Sequence, residues 1–257
     1  MKVKEVYDVI NEYAPFKKSG DFDNCGLNVG DMEARVKKIC LCLDITNDVI
    51  EEAAKKKANL IISHHPVIFD SLKEVHPGDP VYRLIKYKIN AICAHTNTDI
   101  TENGVTDLMI ELLGFEKSNV VLEPVFSDGS GYGKVCDLPI PTTARALAES
   151  CKEAFGCTVV RFNDTDKPIQ RVGLCSGGGA SNFRNAVALG CDALITGDVK
   201  HDIWVDAQNI GFCMIDAGHF HTENILCNHL LGMLCHKFTM ADIFVADNSK
   251  DPCSYVL

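Results

Sequence analysis

Two stretches of this 257-residue chain run through the same order of elements at nearly the same register, and this doubling constrains the fold more than any other feature. In the first, Lys38-Ile39-Cys40-Leu41-Cys42-Leu43-Asp44 precedes a helical stretch over 47–57 and then Leu60-Ile61-Ile62-Ser63. In the second, Arg171-Val172-Gly173-Leu174-Cys175-Ser176 precedes a predicted helix over 181–189 and then Ala193-Leu194-Ile195-Thr196. The order continues, because Ala91-Ile92-Cys93-Ala94-His95 is answered by Phe212-Cys213-Met214-Ile215-Asp216, with a longer insertion after His65 than after Asp198. Short apolar runs alternating with helical patterns favour a parallel or mixed sheet flanked by helices. The expected fold is α/β, with two similar, intertwined α/β halves. A loop over 126–133, rich in Gly, Ser and Asp, sets the expected boundary between halves 1–126 and 127–257.

Helix signals agree with that pattern. Pro141-Thr142-Thr143 opens a helix over 144–155 that stops at Gly156, and Thr222-Glu223 leads into an apolar helix over 225–234.

Composition narrows the partners. The chain is 46% hydrophobic and 23% charged, which is ordinary for a globular protein, and its formal net charge of -10 disfavours the phosphate backbone of DNA or RNA. No run approaches the ~18 apolar residues of a membrane span, and the first residues are amphipathic, so a cytoplasmic protein is expected. Thirteen cysteines in a chain of this length, many inside apolar runs, predict reduced and mostly buried thiols.

Residues able to hold a metal fall into three clusters, each after an apolar run: Ser63-His64-His65-Pro66, His95-Thr96-Asn97-Thr98-Asp99, and Asp216-Ala217-Gly218-His219-Phe220-His221-Thr222-Glu223. Imidazoles and carboxylates collected from strand ends suit zinc, iron or manganese, and ligands in open α/β sheets gather at those ends. His95/Asp99 and His219/Glu223 are each four apart, which on a helical turn puts both side chains on one face, although the same spacing serves a local hydrogen bond or cap. His64, His65, Asp99, His219 and Glu223 together would suffice for two ions sharing a carboxylate, with His95 or His201 as supporting or substrate contacts.

These residues resemble the Nif-three-like dinuclear metal-centre family, whose members are also called GTP cyclohydrolase 1 type 2 homologues. The resemblance is carried by Phe22-Asp23-Asn24-Cys25-Gly26-Leu27-Asn28-Val29-Gly30, Ser63-His64-His65-Pro66, Ala94-His95-Thr96-Asn97-Thr98-Asp99, Gly131-Tyr132-Gly133, Thr196-Gly197-Asp198 and the 216–223 cluster, across nearly the whole chain. It implies two divalent metal ions per chain on His64, His65, Asp99, His219 and Glu223, with Glu223 or Asp99 bridging. It also implies a toroidal homohexamer, in the short form without a central insertion. Phe22 stands where the family often carries Trp, and His221 occupies a variable position.

The function expected from this resemblance is hydrolysis by a metal-activated water, acting on a nucleotide or related phosphorylated substrate. His95, His201 and Asp44 are the candidate proton carriers, and Phe220 and Trp204 the candidate stacking surfaces for a purine. The alternative is a metal-binding or regulatory hexameric scaffold without catalysis. Two further signals are set aside. Ser176-Gly177-Gly178-Gly179-Ala180-Ser181 lacks the ending of a P-loop and reads better as a tight strand-to-helix turn, with a phosphate cradle as the alternative. Cys227, His229, Cys235 and His236 do not share one helical face.

Overall fold

The computed structural model describes residues 1–256. The chain forms two compact units. The first comprises Met1–Thr101 and Leu226–Lys250, and the second comprises Glu102–Ile225 with the described residues from Asp251 onward.

In the first unit, α1 (Val3–Tyr13) leads to β1 (Gly26–Val29) and then to β2 (Lys38–Cys42), α2 (Asn47–Lys55), β3 (Leu60–Ser63), α3 (Pro80–Tyr87), β4 (Asn90–Cys93) and α4 (Thr96–Ile100). In the second unit the order is α5 (Val105–Leu112), β5 (Val121–Pro124), β6 (Gly131–Thr142), α6 (Ala144–Phe155), β7 (Arg161–Phe162), β8 (Ile169–Leu174), α7 (Phe183–Ala188), β9 (Ala193–Thr196), α8 (His201–Ile210), β10 (Cys213–Asp216) and α9 (His219–Glu223). The chain then returns to the first unit through α10 (Ile225–Lys237), all but its first residue, and β11 (Asp242–Val245).

Each unit holds one mixed sheet, in the order β1-β4-β3-β2-β11 in the first and β5-β6-β8-β9-β10-β7 in the second. The doubled segment is the parallel centre of both. Ile39 pairs with Leu60 and Leu60 with Asn90, just as Val172 pairs with Ala193 and Ala193 with Cys213. β3, β4, β9 and β10 are buried at every residue. That is why they read as near-continuous apolar runs, with a polar residue only at one end, rather than alternating ones: parallel strands covered on both faces have no wet side.

The second sheet shows this covering directly. Val172, Leu174, Ala193, Ile195, Cys213 and Ile215 face Leu147, Ala148, Cys151 and Phe155 of α6, whereas Leu194 and Met214 face Phe183 and Ala186 of α7 and Ala207 of α8. In the first unit Cys40, Cys42, Ile61 and Ala91 pack against Val49, Ile50 and Ala53 of α2 and Leu84 of α3. Helix α6 forms where expected: Thr143 Oγ1 accepts from Ala146 N at 3.2 Å, and Gly156 closes it at φ 67°. The thirteen cysteines are free thiols, ten of them buried.

The boundary expected at 126 is corrected. Residues 125–130 are the turn of the β5–β6 hairpin, closed by Phe126 N to Ser130 O at 3.0 Å and Gly129 N to Phe126 O at 2.9 Å. A Gly/Ser/Asp cluster reads alike as a linker or as a turn within one sheet, and here the strands on either side pair with each other. The chain instead leaves the first unit after Thr101.

Candidate metal centre

In the first unit, β3 ends at Ser63 and delivers His64 and His65, and β4 ends at Cys93 and delivers His95 immediately before α4. The ring centroids of His64 lie 5.0 Å from both His65 and His95, and those of His65 and His95 are 5.3 Å apart. One ligand nitrogen from each falls within 4.8 Å of the others. Asp99, in α4, places Oδ1 3.7 Å from His64 Nε2.

All three imidazoles are held through Nδ1. His64 Nδ1 meets Ala94 O at 3.0 Å, His65 Nδ1 meets Asp44 Oδ1 at 2.8 Å, and His95 Nδ1 meets Asp23 Oδ1 at 2.9 Å. Each partner is a carbonyl or carboxylate and can only accept, so Nδ1 carries the proton and donates. That assigns the tautomer in which Nε2 is the nitrogen that could hold a metal, the arrangement that orients metal-bound histidines and raises their basicity.

Asp23 is itself fixed. Its Oδ2 accepts from Thr96 N at 3.1 Å, Thr96 Oγ1 at 2.5 Å and Cys25 Sγ at 3.0 Å. Burial alone would raise the Asp23 carboxyl, but the bonds from His95, Thr96 and Cys25 outweigh it and hold the group well below the usual carboxylate range.

The second unit repeats the device. His219 opens α9 and Glu223 ends it, one turn later, so that His219 Nε2 and Glu223 Oε2 lie 2.9 Å apart. His219 Nδ1 donates to Asp198 Oδ2 at 2.7 Å. Burial would depress the imidazolium, yet Glu223 and Asp198 outweigh that effect and raise it to about 9. Asp198 stands in the left-handed region at φ 52°, just past the end of β9. The loop after β8 closes against the same pair: Gly177, at φ +56°, leaves no room for a side chain, since a Cβ there would sit 1.9 Å from Glu223 Oε1. Gly177 N donates to Thr222 Oγ1 at 3.0 Å. Asp216 ties the neighbouring loops together, accepting from Gly218 N at 3.0 Å and Val199 N at 3.1 Å and pairing with Arg161.

Several expectations change. His95 and Asp99 do not act as a one-turn pair: His95 caps α4 in a non-helical conformation and turns to Asp23, and Asp99 approaches His64. His95 groups with His64 and His65. Asp44, one of the candidate proton carriers, accepts from His65 Nδ1. His201 is exposed at the start of α8 and belongs to none of the potential ligand groups among the described residues. Neither do Cys227, His229, Cys235 and His236. Trp204 is half-buried, with the Arg161 guanidinium 5.8 Å from its ring, and Phe220 is half-buried against His221. The orienting positions of Asp23 and Asp198 carry no signal in the sequence beyond membership in the 22–30 and 196–198 motifs. The turn reading of 176–181 holds as far as a short 3-10 turn over Gly179–Asn182 that leads into α7.

Among the described residues no helix is long and apolar enough to cross a membrane. Relatives cover this chain from end to end. It is 35% identical over 265 residues to a GTP cyclohydrolase 1 type 2 homolog of Clostridium acetobutylicum, covering 99% of both chains. It is 30% identical over 260 residues to the GTP cyclohydrolase 1 type 2 of Helicobacter pylori, again covering 99% of both. The fold matches the crystal structure of a Bacillus cereus protein related to NIF3 with a TM-score of 0.92 at 21% identity, covering 100% of this chain and 99% of that one. The model of the Duf34/NIF3 (NGG1p interacting factor 3) family matches residues 1–252, and the chain belongs to that family.

Proposed function

We propose that this protein is a metal-dependent hydrolase with two divalent ions per chain on His64, His65, Asp99, His219 and Glu223, acting on a nucleotide or related phosphorylated substrate. The observation that carries the metal reading is that the three proposed histidine ligands, His64, His65 and His219, all donate Nδ1 to an oxygen acceptor. Metal-ligating histidines almost always donate their second ring nitrogen in this way, which leaves Nε2 directed at the ion. Mixed imidazole and carboxylate donors fit zinc, iron or manganese. When bound, such ions acidify water and polarise a phosphoryl oxygen. The protein's own contribution is orientation: Asp44, Asp23 and Asp198 hold the imidazoles, and Gly177 seats Glu223. Support for the nucleotide comes from the names of the relatives, one of which is a GTP cyclohydrolase 1 type 2. The family resemblance underlies the further proposal of a homohexamer, and the lack of a membrane-length apolar helix among the described residues that of a cytoplasmic location.

The test is elemental analysis of protein purified without chelator or metal-affinity resin, beside a Glu223→Ala sample, followed by assay of GTP with the metal restored. About two equivalents in the parent, fewer in the variant and turnover of GTP are expected. Negligible metal after incubation with zinc, iron(II) and manganese would overturn the metal reading. Two equivalents without turnover of any nucleotide would leave a metal-binding scaffold.

A further inference from the structure

Beside the histidine cluster of the first unit stand two aromatic side chains that the fold leaves in water. Phe22 is 63% exposed and Phe69 is 50% exposed. Their ring centroids are 6.4 Å apart at an interplanar angle of 39°, and Phe69 lies edge-on to His95 with centroids 6.4 Å apart. Their position is built by three consecutive residues. Phe22 supplies one ring, Asp23 grips His95 Nδ1, and Asn24 Nδ2 donates to Ile68 O at 2.6 Å, fastening the backbone that carries Phe69. Phe69 sits in residues 64–79, which contain neither helix nor strand and begin at the two ligand histidines. Irregular segments of that length inside a compact unit are usually functional.

The geometry also selects an occupant. Two phenyl rings match the area of one ring system, far short of the ~800 Å² per partner of a stable protein interface. Sandwiching a planar ring between them would need a separation of about 7 Å, twice the contact distance between carbon atoms. At 6.4 Å and 39° the rings form a wedge, which accepts a planar ligand stacked on one face with its edge against the other. We propose that Phe22 and Phe69 are the specificity-determining clamp for a nucleobase, or a heteroaromatic ring of that kind, held next to His64, His65 and His95. This rests on the nucleotide reading above and replaces Trp204 and Phe220 as the stacking surface.

Calorimetry on the full, metal-restored protein tests it, with GTP, guanosine and inorganic tripolyphosphate as probes and Phe22→Ala, Phe69→Ala and Phe22→Trp as variants. Thermal melting checks that the variants fold. The two alanine variants are expected to weaken GTP and guanosine by roughly 5- to 150-fold, the range of a single base–aromatic stack. Tripolyphosphate affinity and metal content stay unchanged, and Phe22→Trp retains or tightens nucleotide binding. Unchanged GTP and guanosine affinity in both alanine variants overturns the clamp, as does a parent that binds neither. Equal loss of tripolyphosphate binding also overturns it, because the rings would then act only through the local fold. A changed oligomeric state with unchanged binding assigns the rings to contacts between copies instead. GTP that binds through the rings without turnover removes the hydrolase reading and leaves the clamp. GTP turned over with the same KM in both alanine variants does the reverse.

Discussion

Asp23 and His95, separated by 72 positions in the chain, meet at 2.9 Å through Oδ1 and Nδ1, with the Asp23 side chain wholly buried. The contact joins the loop before β1 to the end of β4 and decides how an imidazole of the candidate centre presents itself. The carboxylate keeps its charge because the bonds from His95, Thr96 and Cys25 outweigh its burial.

Replacing Asp23 by Asn keeps the size of the side chain but removes the charge and puts an N–H₂ where acceptors are required. Because His95 packs against the proposed ligands His64 and His65 rather than joining them, we expect the Asp23→Asn variant to bind metal only a few-fold more weakly. Competition against a chromophoric chelator measures this. Unaltered affinity would show that His95 orientation is irrelevant to the centre.

Gly177 and Gly178 are adjacent but differ in what surrounds them. A Cβ at Gly177 would collide with Glu223 Oε1 and lie 3.1 Å from His219 Nε2, at a φ that costs an L-residue about 1 kcal/mol or more. Gly178, at φ −79°, has nothing within 4 Å of its would-be Cβ. Gly177→Ala should therefore lose metal and melt at lower temperature, whereas Gly178→Ala should match the parent in both measurements. Equal behaviour of the two variants would contradict the role assigned to the loop.

Asp198 combines a left-handed backbone with the acceptor for His219 Nδ1. Asn tolerates that backbone and retains an acceptor oxygen, but Ala does neither. The expected order of metal affinity is parent, then Asp198→Asn within a few-fold, then Asp198→Ala about 10- to 100-fold lower. Isothermal titration of metal-stripped protein would establish the order.

Glu52 ties the segment after β11 to α2. Its carboxylate accepts from Asp247 N, Asn248 N and Asn248 Nδ2, each at 2.9 Å, and from Lys56 Nζ at 2.7 Å. Burial would raise the group, but these donors outweigh it and hold it below its ordinary value of 4.5. A lowered folded value means that the stabilisation is fully present above pH 4.5 and is lost as the pH falls through the folded value. Glu52→Ala should cost about 1 kcal/mol at pH 7, because part-buried donors that water can reach lose their carboxylate acceptor. The gap in urea midpoint between parent and variant should narrow as the pH is lowered from 5 to 3. A constant gap over that range would contradict the linkage.

The central strands were legible because buried parallel strands are nearly continuous apolar runs, so Leu60–Ser63 and Ala193–Thr196 stand out in the sequence despite the polar residue that ends each. Helix α6 was legible for an equally local reason, a Thr cap at one end and a Gly stop at the other. The ligand clusters were visible as residue types following those strands. The edges of the sheets were not: β1, β5, β6 and β7 join their sheets antiparallel, and β11 pairs with β2 some 200 residues earlier, choices that no local periodicity contains. Tertiary structure also decided the orientation of each candidate ligand. The spacing of His95 and Asp99 suggested a one-turn pair, but the cap geometry of His95 sends it to Asp23, whereas the same spacing at His219 and Glu223 does form one. The sequence alone determined which side chains could hold a metal, through their chemistry and the strands they follow. Only the folded chain determined which nitrogen each histidine offers, because the partners of Nδ1 on His65, His95 and His219 lie 21 to 72 positions away and are reached only once the sheets have formed.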